Sequence, residues 1–203
     1  MARRSAGSGK ARRGGGLPRR GGPARRWAIG WLAGGLVLVA AVVAAIAVGS
    51  GAPKPAGEAK EGAPAPEGTF VEADGARRTI ASLRGQTTLL WFVSTWCSSC
   101  QAGTAAMAEN LSRLTGKGVK VVELELYEDL GQPGPSIAEF ARRYAGPAAA
   151  NPNWRFGLAS ATLTHSYDPE AYLDIYYVID PSGRITYSNS SPASTMGELL
   201  EHV

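Results

Sequence analysis

Imidazole and thiol groups are scarce in this chain, which has two cysteines and two histidines in 203 residues. A four-ligand zinc site would have to combine both cysteines with His165 and His202, the second at the C-terminal end, and that argues against structural zinc. Acidic residues are missing altogether from residues 1–26, where nine of the 21 Lys and Arg lie among many glycines. Such a segment cannot bury enough apolar surface to fold. No internal repeat is visible, so a repeat architecture is also set aside.

The two cysteines that are present sit three apart, in Ser94-Thr95-Trp96-Cys97-Ser98-Ser99-Cys100. The apolar run Thr88 to Val93 precedes them and a helix-like stretch follows. A structural staple is a poor reading, because a bridge closing so small a loop removes little unfolded-chain entropy. A dithiol delivered by a strand to a helix N-terminus is suited to electron exchange. The unpaired N–H groups and the positive end of the helix dipole favour a thiolate there. A fall in the Cys97 pKa from about 8.5 to about 7 would raise its reactive fraction at neutral pH from roughly 3% to about half. Cys100, one turn on, is then placed to attack a mixed disulfide and release the substrate.

Around this motif the chain divides by composition. Residues 1–26 read as a basic disordered tail. Residues 27–48 form an uncharged run of 22 residues, which as a helix spans about 33 Å and matches a hydrocarbon core of about 30 Å. The run reads as a transmembrane helix, with a cleaved signal peptide as the competing reading. The positive charge before it places the N-terminus inside the cytoplasm and the remainder outside. Beyond the span, 12 Lys and Arg face all 17 Asp and Glu, so the basic balance of the whole chain describes a tail. The tail's arginines are sufficiently explained by topology, without a nucleic-acid partner. Gly30 and Gly34 give only a weak helix-dimerisation signal. Residues 49–68, rich in Pro, Ala and Gly, are expected to form an extended tether. Residues 69–203 are long enough for one core.

Within that domain the strands and helices alternate. Thr69–Glu72 and Arg78–Ile80 flank Asp74-Gly75, a hairpin signal. Leu89 to Ser94 reads as a strand covered on both faces. Cys97 to Leu114 reads as an amphipathic helix, Val119 to Tyr127 as a strand, and Ser136 to Tyr144 as a helix capped by its serine. Residues 146–160 fit no strong pattern, with Trp154 and Phe156 expected as core plugs. Ile175 to Ile179 and Arg184 to Tyr187 flank the turn Asp180-Pro181-Ser182-Gly183, and a helix capped by Thr195 closes the chain. The order implies an α/β fold with helices on a mixed sheet.

The series Asp74-Gly75, Leu83-Arg84-Gly85, Leu89-Leu90-Trp91-Phe92, Thr95-Trp96-Cys97-Ser98-Ser99-Cys100 and Val178-Ile179-Asp180-Pro181-Ser182-Gly183 resembles the TlpA/ResA-type membrane-anchored thioredoxin-like thiol-disulfide oxidoreductases. The likeness spans nearly all of residues 69–203. It implies a thioredoxin-like fold, Cys97 as nucleophile, Cys100 as resolving thiol, no cofactor, and protein thiols or disulfides outside the cytoplasm as partners. Trp96, Ser98 and Ser99 flank the sulfurs.

The chain departs from that family in three respects. Asp174 stands where its cis-proline packs against the dithiol. The acid that assists the resolving thiol is absent from both of its usual positions, here Trp91 and Gly103. Ser98-Ser99 lacks a proline beside the second cysteine. Asp174 has three open readings: a charge opposing the Cys97 thiolate, a proton acceptor for Cys100, or a residue solvating a loop. With no cation between the cysteines, a reductase is favoured over a strong oxidant. The alternative function is a copper metallochaperone binding Cu(I) through the two cysteines, with His165 as third ligand.

Overall fold

The computed structural model describes residues 57–203, and the expected tail and transmembrane helix lie outside them. Among the described residues no helix is long and apolar enough to cross a membrane. The hairpin forms as expected: β1 (Thr69–Glu72) pairs antiparallel with β2 (Arg77–Thr79). Its turn uses the left-handed backbone of Gly75 at φ 89° and an Asp74 side chain that accepts from the Ala76 amide at 2.9 Å, a conformation that costs glycine little. Ile80 belongs to the following 3-10 turn, Ile80–Leu83, and not to the strand.

The rest of the domain alternates. β3 (Thr88–Val93) leads into α1 (Ser98–Gly116), then β4 (Lys120–Glu125), α2 (Ile137–Tyr144), β5 (Trp154–Ala159) and α3 (Ala161–Tyr167). β6 (Ile175–Ile179), β7 (Ile185–Ser190) and α4 (Pro192–Glu201) complete it. The sheet order is β2-β1-β5-β4-β3-β6-β7, with β3, β4 and β5 parallel and the outer pairings antiparallel. The mixed sheet and its helices are the thioredoxin-like arrangement.

β3 is buried throughout, and its two-residue period splits it between two cores. Leu89, Trp91 and Val93 pack with Met107, Leu111, Phe140 and Leu199 under α1, α2 and α4. Leu90 and Phe92 pack with Phe70, Leu163, Tyr167 and Tyr177 on the other face, under α3. A strand covered on both sides needs the near-continuous apolar run that the sequence displays.

Three expectations are corrected. The segment without a pattern contains β5, which inserts between β1 and β4. Gly157 masks its signal: a Cβ there would lie 2.6 Å from the Val71 carbonyl oxygen, so close strand approach requires glycine where a strand former would announce the strand. Trp154 and Phe156 are core residues, as expected. The last helix begins at Pro192 and not at Thr195, because Pro at the first turn needs no N–H partner. Residues 57–68, read as part of the extended tether, lie against the domain: the Ala65 amide donates to Gly183 and the Tyr167 hydroxyl to the Pro66 carbonyl, both at 2.9 Å.

Candidate active site

The dithiol stands where β3 ends and α1 begins. Cys97 is the N-cap of α1, and its sulfur accepts from the Cys100 backbone amide at 3.4 Å. One of the orphan donors of the helix start is thereby aimed at the Cys97 sulfur. The Ser99 hydroxyl lies 3.1 Å from the same sulfur. Cys97 is 6% exposed and Cys100 fully buried, and the two thiols are unpaired. Both sulfurs are therefore buried, Cys97 slightly less than Cys100. Burial pushes the Cys100 thiol up, reinforced by its hydrogen bond with Cys97 and by the charge of Asp174. Neither sulfur has a Lys, Arg or His among its hydrogen-bond partners.

Trp96, exposed at the rim, donates its indole N–H to the Asp129 carbonyl at 2.9 Å. Ser98 is exposed on the first turn. The loop before Cys97 is clamped from across the domain. Asp129 accepts from the Thr95 amide at 2.9 Å and from its hydroxyl at 2.6 Å. That carboxylate is carried on three successive left-handed residues, Glu128, Asp129 and Leu130, at φ 51°, 51° and 56°. Non-glycine residues rarely adopt this backbone, so the segment is strained where it grips the dithiol loop. Gly134 permits the grip, since a Cβ there would meet the Thr95 hydroxyl and the Asp129 carboxylate.

Asp174 does not solvate a loop. It is 1% exposed, at φ 55°, and its Oδ1 accepts from the Trp91 indole N–H at 3.0 Å. Its Oδ2 is buried without a hydrogen-bond partner. Burial raises its pKa from 3.8 to about 6, against the opposing pull of Trp91, Ser99 and Ser191. Two departures noted from the sequence explain each other. A Cβ at Gly103 would lie 2.8 Å from the Trp91 ring and 3.2 Å from Asp174 Oδ1, so no acid fits on α1 over this tryptophan. The carboxylate reaches the same space from the loop before β6.

A second acid in the site went unread in the sequence. Glu123, in the middle of β4, is fully buried under α1. It accepts from the Trp154 indole at 3.1 Å, and its other oxygen lies 2.8 Å from the Thr104 hydroxyl. Thr104 in turn donates to the Cys100 carbonyl at 2.9 Å. Burial raises the Glu123 pKa from 4.5 to about 8, with the two hydrogen bonds opposing and the charge of Asp174 adding. Glu125, half-buried on the same strand face, is raised to about 7 by burial and by Asp129. The signal available in advance was position: an acid in an interior parallel strand has no solvent-facing side to occupy. His165 is exposed on α3, whose apolar residues pack on the face opposite the dithiol. Among the described residues no three His, Cys, Asp or Glu side chains are gathered to hold a metal ion, so the expected third copper ligand does not join the cysteines.

Residues 60–200 match the family described as Redoxin. The chain belongs to the redoxin family. This redoxin is a thioredoxin-like thiol-disulfide oxidoreductase whose near cysteine pair is Cys97 and Cys100. No curated protein matches it. Similar folds among solved structures include the thioredoxin domain of a thiol-disulfide oxidoreductase from Bacteroides vulgatus, at 16% identity and TM-score 0.53, covering 70% of this chain and 99% of that one. A thioredoxin-like protein from Aeropyrum pernix has 16% identity and TM-score 0.52, covering 68% and 89%. Copper-bound yeast Sco1 has 12% identity and TM-score 0.50, covering 71% and 96%. At these identities the likeness concerns the fold.

Proposed function

We propose that this redoxin is a TlpA/ResA-type protein, tethered to the cytoplasmic membrane by residues 27–48, whose extracytoplasmic domain reduces disulfides of exported proteins. The observation that carries the direction is the electrostatic character of the site. The Asp174 carboxyl is buried facing Cys100 and raises its thiol, and no cation bonds to either sulfur. A dithiol becomes strongly oxidising when its reduced, thiolate form is stabilised, and an acid facing the inner thiol with no cation to offset it works against that. The location is supported by the positive charge before the uncharged run and the acidic balance after it.

The cycle follows from the order of the sulfurs. The Cys97 thiolate attacks one sulfur of a substrate disulfide, that S–S bond breaks, and the first substrate thiolate leaves. Cys100 then gives its proton to the Asp174 carboxylate, whose Oδ2 has no other partner, and attacks the Cys97 sulfur. The second substrate thiolate leaves and is protonated. Two electrons have passed to the substrate and the Cys97–Cys100 disulfide has formed, to be reduced again by a redox partner protein.

The test is the reduction potential of the domain in a glutathione or dithiothreitol series. A value near the thioredoxin range of about −270 mV supports the reductase reading, and one near the strongly oxidising value of about −120 mV overturns it. Cys100→Ser should trap substrates as mixed disulfides in intact cells and Cys97→Ser should not. Trapped proteins drawn from the cytoplasm would refute the location.

A further inference from the structure

Glu123 is, among the described residues, a fully buried acid that the exchange cycle leaves unused, and its surroundings favour its neutral form. It has no cation partner, zero exposure, and two polar neighbours of different kinds. Trp154 Nε1 can only donate, so it fixes Oε2 as an acceptor. The Thr104 hydroxyl has one hydrogen and lies within bonding distance of both the Cys100 carbonyl and Glu123 Oε1. A carbonyl can only accept. Within α1 that carbonyl also accepts the Thr104 backbone amide, so the hydroxyl is its second donor. Both contacts of the Thr104 hydroxyl are hydrogen bonds at the same time only when Glu123 is neutral and donates to Thr104 while Thr104 donates to the Cys100 carbonyl. If Glu123 ionises, Thr104 turns its single hydrogen to the carboxylate, and the Cys100 carbonyl keeps only its helical backbone bond.

We propose that Glu123 is a positioning residue, held neutral beneath the dithiol, whose proton keeps Thr104 bonded to the first turn of α1, and whose ionisation closes the alkaline side of the exchange reaction. It acts through Thr104 on the residue that carries the resolving sulfur. The titratable group facing it is Asp174, from the loop before β6; its hydrogen-bond partners from α1 and β5, Thr104 and Trp154, carry no charge. Asp174 discourages a charge on Glu123, whose raised pKa agrees with a neutral carboxyl at pH 7. The inference rests on exchange at Cys97 and Cys100 and is independent of the direction of electron flow in the cell.

The experiment follows oxidation of the reduced domain by oxidised glutathione. Cys97 displaces one glutathione thiolate, Cys100 displaces the second, and the two electrons end on glutathione. Rates are measured from pH 6 to 9 for the native chain, Glu123→Gln and Thr104→Val. Glutamine has the shape of the neutral acid and cannot ionise. The ratio of native to Glu123→Gln rate is expected to fall at least about fivefold between pH 7 and 9, and Thr104→Val should likewise lack the alkaline decline. Infrared spectra of the native chain should show a protonated carboxyl band at pH 7 that is absent from Glu123→Gln. A ratio constant in pH, a decline intact in both variants, or a band missing at pH 7 overturns the proposal. None of these outcomes bears on the reduction potential or on the trapped substrates, so the reductase reading stands or falls separately.

Discussion

Replacing Glu123 by glutamine should stabilise this protein, by an amount set by pH. In the unfolded chain the carboxyl ionises at its ordinary value of 4.5, and in the folded domain it holds its proton up to about 8. Between those values the folded state binds more protons than the unfolded state, so stability falls as pH rises through that window. One unit of pKa corresponds to about 1.4 kcal/mol. At pH 7, where only the unfolded form has ionised, the native acid therefore costs about 3 kcal/mol, approaching 5 kcal/mol at the upper end of the window. Glutamine keeps both bonds of the neutral acid: its amide N–H donates to Thr104 and its carbonyl accepts from Trp154.

Urea denaturation of the described domain at pH 4, 5, 6, 7 and 8 is the assay. At pH 4 the native and Glu123→Gln proteins should have nearly equal stability. The gap should open by about 1.4 kcal/mol per unit above pH 4.5 and level off above pH 8. At an m-value of about 2 kcal/mol/M, the gap at pH 7 displaces the midpoint by about 1.5 M. Asp174 and Glu125 also have raised pKa values and give the native protein a slope of the same sign. They are common to both proteins, so the difference isolates Glu123. A gap independent of pH, or a glutamine variant that is the less stable at pH 7, would refute the neutral carboxyl and the hydrogen-bond directions deduced from it.

Other substitutions test neighbouring parts of the site. Asp174→Asn keeps a side chain that tolerates the left-handed backbone and can still accept from Trp91. It should slow decay of the mixed disulfide at least about tenfold while raising stability at pH 7, the sign expected when a buried acid with a raised pKa is removed. A variant with native decay rate returns the proton of Cys100 to water. Gly103→Ala sets a helix-propensity gain of about 1 kcal/mol against overpacking of about 1–3 kcal/mol on the Trp91 ring. A net loss near 1 kcal/mol is expected, and a net gain in chemical denaturation would mean that Trp91 is free to move aside. A chain beginning at residue 69 should melt below one beginning at residue 57, because it loses the Ala65–Gly183 and Tyr167–Pro66 bonds and the burial of Ala65. Equal melting temperatures would show that residues 57–68 contribute nothing to the fold.

The parts of this architecture that could be read in advance are those in which a local pattern and the tertiary environment ask for the same residues. The run from Thr88 to Val93 is apolar because both faces of β3 are covered, and Ser136 with Glu139 spells a helix start because both partners of the capping box lie within one turn. Cys97 and Cys100 are legible for the same reason, since three residues of spacing already place both sulfurs at one helix end. The unread parts depend on groups far apart in sequence. Gly157 looks like a strand breaker until Val71 is placed against it, and the Pro-rich residues before Thr69 look unstructured until Gly183 and Tyr167 supply their partners. Asp174 belongs to the same class: its burial depends on Trp91, which donates to it, and on Gly103, which leaves room for both. An acid at position 91 or 103 would stand on the strand or helix that frames the dithiol. Here a bulky indole fills that space, and a carboxylate reaches it from the loop before β6. Trp91 on β3 and Asp174 before β6 thus depend on each other through the bond from indole to carboxylate. Asp174→Pro would leave the Trp91 indole N–H buried without an acceptor, at a cost of about 1–3 kcal/mol, and would add backbone strain, because the proline ring excludes the left-handed φ of 55° found there.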